Sequence, residues 1–236
     1  MRICQIPHDR DPAAGNMAID ATMLVFGRNT TQAVWRLYGW SEPAITFGYS
    51  QRWAFVCSST EGFGGARIRR MTGGGIVDHR RDLTYAVTIP PEHPCYRFRA
   101  LEVYRLLHMQ IAHILMESGI PARLAPCPGD SGEGCSGSPA AVCFEAPAPH
   151  DVVHPVSGAK IAGAAMKRTR DGVLIQGSLN RALLGGIPDR HFEEKFGQAL
   201  ANWLELEPVV MKGTLPVDVL QRELDRFSSG EWNQAR

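Results

Sequence analysis

No run of about 18 consecutive apolar residues occurs in this sequence, so a transmembrane helix is not expected. The amino terminus, MRICQIPHDRDPAAG, lacks the apolar stretch of a signal peptide, and the expectation is a cytoplasmic protein with no membrane partner. Charge of one sign is also missing. Lys and Arg total 25 against 24 Asp and Glu, a net charge of +1, whereas a broad nucleic-acid surface needs a clear basic excess. No CxxC pair occurs among the six cysteines, which are Cys4, Cys57, Cys95, Cys127, Cys135 and Cys143. In a reducing compartment they read as free thiols. Cys127, Cys135 and Cys143 recur every eight residues, a spacing that fits no common zinc site, so no metal is expected. No internal repeat is visible.

What is present is an ordinary globular composition, 44% hydrophobic and 21% charged over 236 residues. That length suits one large domain, and residues 1–236 are read as one. Residues Asn16 to Gly27 have the spacing of a helix, with Asn16 as its N-cap and Gly27 as its stop. Ala33–Tyr38 and Ala44–Tyr49 read as strands around a Gly39–Pro43 turn. From Leu83 to Ile89 apolar residues alternate with Thr84, Ala86 and Thr88, the pattern of a half-buried strand. Ala100 to Ser118 carries the strongest helical stripe, Val103, Leu107, Ile111, Ile114 and Leu115. His108 and His113 on it read as ordinary helix residues. Short strands are expected at Val142–Phe144, Asp151–Val156, Lys160–Ala165 and Val173–Leu179, and helices at Pro188–Leu206 and Val217–Phe227. Without a βαβ rhythm, the fold class is α+β, a mixed and largely antiparallel sheet flanked by helices. Ten of the fourteen residues from Pro126 to Pro139 are Pro, Gly or Ser, a composition that predicts a mobile loop over 126–139.

The stretch Arg69–His79, RRMTGGGIVDH, lies between two strand-like segments. Three consecutive glycines are costly in chain entropy and suit backbone that takes positive φ or approaches something closely. Such a loop can offer N–H groups to a phosphate or an acyl carbonyl, with Arg69 and Arg70 available to an anion. It can equally be a plain turn. It is neither a Walker loop nor GxGxxG.

Followed by Asp82-Leu83-Thr84-Tyr85, this stretch resembles the signature of the lipoate-protein ligase and octanoyltransferase superfamily, which includes the biotin protein ligases. Gly15–Asp20, Trp35–Trp40, Phe47–Gln51, Ser157–Gly163 and Glu231–Asn233 resemble further blocks of that family in the same order. The resemblance implies an acyl chain held beneath the glycine loop, with Arg69, Arg70, Thr72, Gly73, Gly74, Gly75, His79, Gly163, Gln176 and Gly177 around the substrate. It implies that Lys160 polarises the acyl carbonyl, because a positioned ammonium stabilises charge developing on oxygen. Val142–Pro147 resembles the block holding the nucleophilic cysteine of one octanoyltransferase group. Cys143 would then carry the acyl group as a thioester, helped by an ammonium that favours the thiolate. Read without the resemblance, Cys143 is a small buried hydrophobe and Lys160 a solvated surface lysine. The resemblance gives His79 no settled role. Arg67, Arg69, Arg70, Arg80 and Arg81 either form a basic rim that steers acidic carrier proteins or are simply a solvated face.

The sequence departs from the cysteine transferases at Met71, Ala159, Ala164, Ala165, Met166 and Gln176, which bears on substrate choice. Three readings follow. The first is a monomeric acyltransferase of protein lipoylation, moving an octanoyl or lipoyl group from acyl carrier protein or a lipoylated donor through Cys143 to a lysine of a lipoyl domain, with no cofactor. The second is an ATP- and magnesium-dependent lipoate ligase. The third is a non-catalytic binder of lipoylated or acylated partners.

Overall fold

The computed structural model describes residues 1–127 and 147–235. In chain order the strands are β1 (Arg2–Gln5), β2 (Asp9–Asp11), β3 (Gln32–Trp40), β4 (Ala44–Phe47), β5 (Ala66–Arg69), β6 (Ile76–Asp78), β7 (Asp82–Ile89), β8 (Arg123–Leu124), β9 (Val152–Val153), β10 (Lys160–Thr169), β11 (Gly172–Asn180) and β12 (Glu207–Val210). The helices are α1 (Ala13–Thr30), α2 (Trp53–Ser59), α3 (Ala100–Glu117), α4 (Asp189–Leu204), α5 (Val217–Ser228) and α6 (Gly230–Asn233). Among the described residues no helix is long and apolar enough to cross a membrane.

Nine strands form one mixed sheet in the order β12-β1-β3-β7-β11-β10-β9-β8, with β2 paired to β3. Pairings from β3 to β8 are antiparallel, and those of β1 with β12 and β3 are parallel. The α+β class read from the sequence is observed. A second sheet was not foreseen: β5-β4-β6 stands apart, with its own cluster of Ile45, Phe47, Val56 and Ile76. It carries the glycine run between β5 and β6.

Side-chain alternation sorts the core into two layers. Trp35 and Leu37 of β3, with Tyr85 and Val87 of β7, face α3 and α4. Val34, Tyr38 and Trp40 of β3, with Ala86 of β7, face α1 and α5. β7 is therefore buried on both faces rather than half-buried. Its second face is lined by Thr84, Ala86 and Thr88, small enough for α1 to lie across it.

The α3 stripe is buried as its spacing predicts. The start of α1 differs from expectation. The helix begins at Ala13, whose N–H donates to Glu42 Oε1 at 2.9 Å. Asn16 lies inside the helix instead of capping it. Its Nδ2 donates to the carbonyls of Asp11 and Gly39, 3.0 Å each, tying α1 to β2 and β3. Gly27 does not stop the helix. It is the point of close contact with the following chain, where an added Cβ would lie 2.8 Å from the Gln32 carbonyl oxygen. Thr31, in the left-handed region at φ 51°, ends the helix. The strand expected at Val142–Phe144 lies outside the described residues, as does all but the start of the 126–139 loop.

At the centre of α1, Asp20 is fully buried. Its Oδ1 accepts from Arg36 Nε at 2.8 Å, with Arg36 Nη2 paired by charge at 2.7 Å while donating to the Asn16 carbonyl, and its Oδ2 accepts from Tyr38 Oη at 2.9 Å and Gln176 Nε2 at 2.7 Å. Burial and the Asp20 charge push the Tyr38 phenol well above its usual range, so it stays a donor. Removing one partner of a buried, hydrogen-bonded ion pair leaves an uncompensated charge, at a cost of about 3–5 kcal/mol. Asp20→Ala should lose about that much, read as a lower midpoint in urea denaturation. A loss under about 1 kcal/mol would show that Asp20 does not organise this core.

Candidate active site

Between the small sheet and the large one lies a narrow cleft with about 30 Å³ of internal free volume. Met17 of α1, Tyr38 and Trp40 of β3, and Ala164 and Ala165 of β10 supply apolar surface. Thr46, His79, Thr84, Gln176 and Ser178 also line it.

These polar groups are engaged with one another. Trp40 Nε1 donates to Thr84 Oγ1 at 2.8 Å, and Thr84 Oγ1 donates to Asp82 Oδ2 at 3.1 Å. Ser178 Oγ donates to the same carboxylate oxygen. His79 Nδ1 lies 2.6 Å from Asp82 Oδ2, and its Nε2 lies 2.8 Å from Thr46 Oγ1. Arg70 Nη1 donates to Thr46 Oγ1 at 3.0 Å. His79 stacks on Trp40 with centroids 4.0 Å apart. Gln176 Oε1 accepts from Thr72 Oγ1 at 2.8 Å, while its Nε2 is spent on Asp20. Their polar atoms are thus largely paired with one another, although Asp82 Oδ1 is buried without a hydrogen-bond partner.

The glycine run is stapled from within. Arg70 Nη2 donates to the carbonyls of Gly73 at 2.7 Å and Gly75 at 2.9 Å. Gln51 Nε2 donates to the Gly74 carbonyl at 3.2 Å, and Gly48 N–H to that of Gly75 at 3.3 Å. Gly74 has φ +91°, the conformation that requires glycine. A Cβ on Gly48 would lie 2.0 Å from the Gly74 carbonyl oxygen, so the two glycines interlock. Arg70 lines the cleft and holds the loop's own carbonyls. Arg69 does not line the cleft. It donates to the carbonyls of Tyr49 and Gln51, 2.7 Å each, and to those of Trp232 and Asn233, 3.1 Å each, joining the loop's entrance to α6. The basic rim is correspondingly weaker than the sequence suggested. Arg69 and Arg70 are buried, Arg67 donates to Thr60, and Arg80 pairs with Asp78.

Lys160 opens β10 and lines the cleft although only 6% exposed. A β-bulge between Lys160 and Ala162 re-aims the strand at that point, as bulges beside active sites do. Its Nζ lies 2.8 Å from Asp151 Oδ2. A methyl group at Gly163 would lie 2.4 Å from Lys160 Cε and 2.6 Å from its Nζ, so Gly163 gives the lysine room to lie back over the strand. A Cβ on Gly177 would lie 2.0 Å from the Tyr85 ring. Cys143 lies outside the described residues. Sequence reasoning did not single out Asp151, Asp82, Thr46 or Trp40. The one available signal was that a buried lysine needs an anion. Among the described residues no group of three or more His, Cys, Asp or Glu side chains is placed to hold a metal.

A model of the lipoyl protein ligase A/B catalytic domain matches residues 12–227. The chain belongs to that family. An octanoyltransferase LipM from Kyrpidia tusciae is 34% identical over 71% of this chain, and the match spans 61% of that relative's length. Octanoyltransferase LipM from Halalkalibacterium halodurans is 28% identical over 95% of both chains. Two solved structures share the fold. Lipoate-protein ligase A bound with ATP has a TM-score of 0.74 at 15% identity over 99% of both chains. The bipartite lipoate protein ligase of Thermoplasma acidophilum, solved in a study of that enzyme and its E2 lipoyl domain, has 0.71 at 15% identity over 99% of this chain and 96% of that one. Lys160 and the glycine loop lie on separate sheets, and Arg70 of the loop lines the cleft with Lys160.

Two glycine substitutions separate the site from the fold. Gly163→Ala displaces the end of a flexible side chain, so a crystal structure of the variant should show Lys160 moved off Asp151 with the β10 backbone in place, at a stability cost from the separated charges. Gly48→Ala collides with backbone and should cost about 1–3 kcal/mol, as overpacking does, with the glycine loop displaced. A shifted β10 backbone in Gly163→Ala with Lys160 still on Asp151 would contradict this distinction.

Proposed function

We propose that this protein is an acyltransferase of protein lipoylation, carrying an octanoyl or lipoyl group from a carrier protein to a lysine of a lipoyl domain. The observation that carries this reading is the cleft itself: a slot whose polar wall is internally paired, leaving apolar surface for an alkyl chain, with the Lys160 ammonium on its lining. Family membership and the octanoyltransferase relatives support the same chemistry. Of the residues expected around the substrate, Arg70, His79, Gly163, Gln176 and Gly177 line the cleft, while Arg69, Thr72 and Gly73–Gly75 lie behind its wall.

In the first step the Cys143 thiolate attacks the carrier thioester carbonyl. The new carbon–sulfur bond forms, the carrier thiolate departs, and solvent protonates it. In the second step the neutral amine of the acceptor lysine attacks the Cys143 thioester. An amide forms, the amine's proton leaves to solvent, and the Cys143 thiolate is regenerated. In both steps negative charge develops on the carbonyl oxygen, and a fixed ammonium such as Lys160 lowers its energy. No ATP or metal enters this scheme. The nucleophile assignment rests on the sequence block around Cys143.

Incubation with octanoyl-acyl carrier protein, without ATP, should add one octanoyl group to the intact mass. The adduct should be removed by hydroxylamine, absent in Cys143→Ala, and passed to a lipoyl domain. No adduct, together with lipoylation that requires free lipoate, ATP and magnesium, would make the protein a ligase. Neither activity with several acceptors would favour a binding protein.

A further inference from the structure

We infer that Asp151 is a positioning residue of this site: it holds Lys160 folded over Gly163 as a charged ammonium, so that the lysine serves the reaction as a fixed cation and not as a neutral base. This inference rests on the acyl-transfer reading of the same cleft.

Four observations support it. First, the Lys160 and Asp151 side chains are 4% and 5% exposed, and a buried ammonium is sustained only by a close anion. Second, the carboxylate is built into place. Asp151 Oδ2 also accepts the Ala148 N–H at 2.6 Å, and the Asp151 N–H donates back to the Ala148 carbonyl at 3.0 Å. The Ala125 N–H donates to the Asp151 carbonyl at 2.7 Å, and the His150 N–H to that of Ala125 at 3.0 Å. Third, His150 occupies the left-handed region at φ +66°, an uncommon conformation for a residue other than glycine. Its carbonyl lies 2.6 Å from His108 Nδ1, so α3 braces the turn that presents Asp151. Fourth, Gly163 leaves no Cβ between the two charges. One there would lie 3.0 Å from Asp151 Oδ1 and 2.6 Å from Lys160 Nζ.

The described titratable groups around the pair are neutral or tied to other partners. Burial holds His108 of α3 below its usual range, although Asp151 favours its charge. Burial pushes Tyr85 of β7 well above its usual range and Tyr104 of α3 up to about 12, so both remain phenols. Arg70, just after β5, His79 and Tyr38 are the other ionisable groups lining the cleft with Lys160; the first two are tied to Thr46 and Tyr38 to Asp20. Asp151 is thus a buried negative charge set against Lys160, and replacing it by a neutral amide makes an ammonium there easier to deprotonate.

The test compares Asp151→Asn and Asp151→Glu with the parent protein. Three measurements serve: octanoyl transfer against pH, mass-spectrometric acetylation of Lys160 by acetic anhydride at fixed pH, and thermal unfolding. The asparagine keeps the size and an acceptor oxygen, so folding should survive. Expected for Asp151→Asn is a fall in kcat of about ten- to a hundredfold, the range for losing a supporting partner, with KM for the octanoyl donor little changed. The alkaline limb of its pH–rate profile should move down by about one unit or more. Lys160 acetylation should be about tenfold faster or more, because only the neutral amine reacts. Asp151→Glu should recover much of the rate and the parent pH profile. An unchanged acetylation rate in Asp151→Asn would overturn the inference, as would lost activity with an unmoved alkaline limb. If the parent transfers no octanoyl group while acetylation still responds, the pairing stands and the acyl-transfer reading fails. If Asp151→Asn does not fold, Asp151→Glu carries the same comparison: a parent-like acetylation rate supports the inference, and a rate matching that of denatured protein overturns it.

Discussion

A buried carboxylate that must find three donors sets the geometry of this molecule. Asp20 takes the Arg36 Nε, the Tyr38 hydroxyl and the Gln176 amide. Those donors come from α1's neighbours β3 and β11, so α1 can sit on the sheet in only one register. A buried charge with a missing partner is expensive, and the requirement is therefore close to absolute. Gln176 passes the constraint on. Its remaining acceptor receives the Thr72 hydroxyl, which ties the glycine loop of the small sheet to the core of the large one.

The cleft follows from that arrangement. Its wall is rich in Thr, Ser, His and Gln, residues that by composition suggest a polar site. Their hydrogen bonds run sideways, from Trp40 through Thr84 to Asp82 and from Arg70 through Thr46 to His79. A wall of polar residues can thus spend most of its hydrogen-bonding groups on its own neighbours. Gly48, Gly163 and Gly177 act as absences of a Cβ at points where backbone, an ammonium and a phenol ring pass too close for one.

Much was legible from the chain alone. The 3.6-residue stripe of Ala100–Ser118 and the alternation of Leu83–Ile89 report on local faces, and local faces are what periodicity encodes. The positions of Lys160 and Gly163 were found through the family blocks. Arg69 and Arg70 show where this stops. Adjacent in sequence and next to a glycine run, both invited an anion. Successive residues of a strand point to opposite sides, so one arginine staples the loop while the other clamps α6. Asn16 misled for a related reason. Its amide can cap a helix, and here it is drawn instead to carbonyls of Asp11 and Gly39 that only the packed chain brings near.

The sequence by itself determined the class of fold, the family, and the main helix and central strands, because these depend on spacing within one segment. Tertiary structure alone decided that the lysine lies over Gly163 against Asp151, that the polar wall pairs within itself, and that the glycine loop hangs on a second sheet. Those outcomes depend on which distant groups share a buried space, where each charge and each donor must be matched.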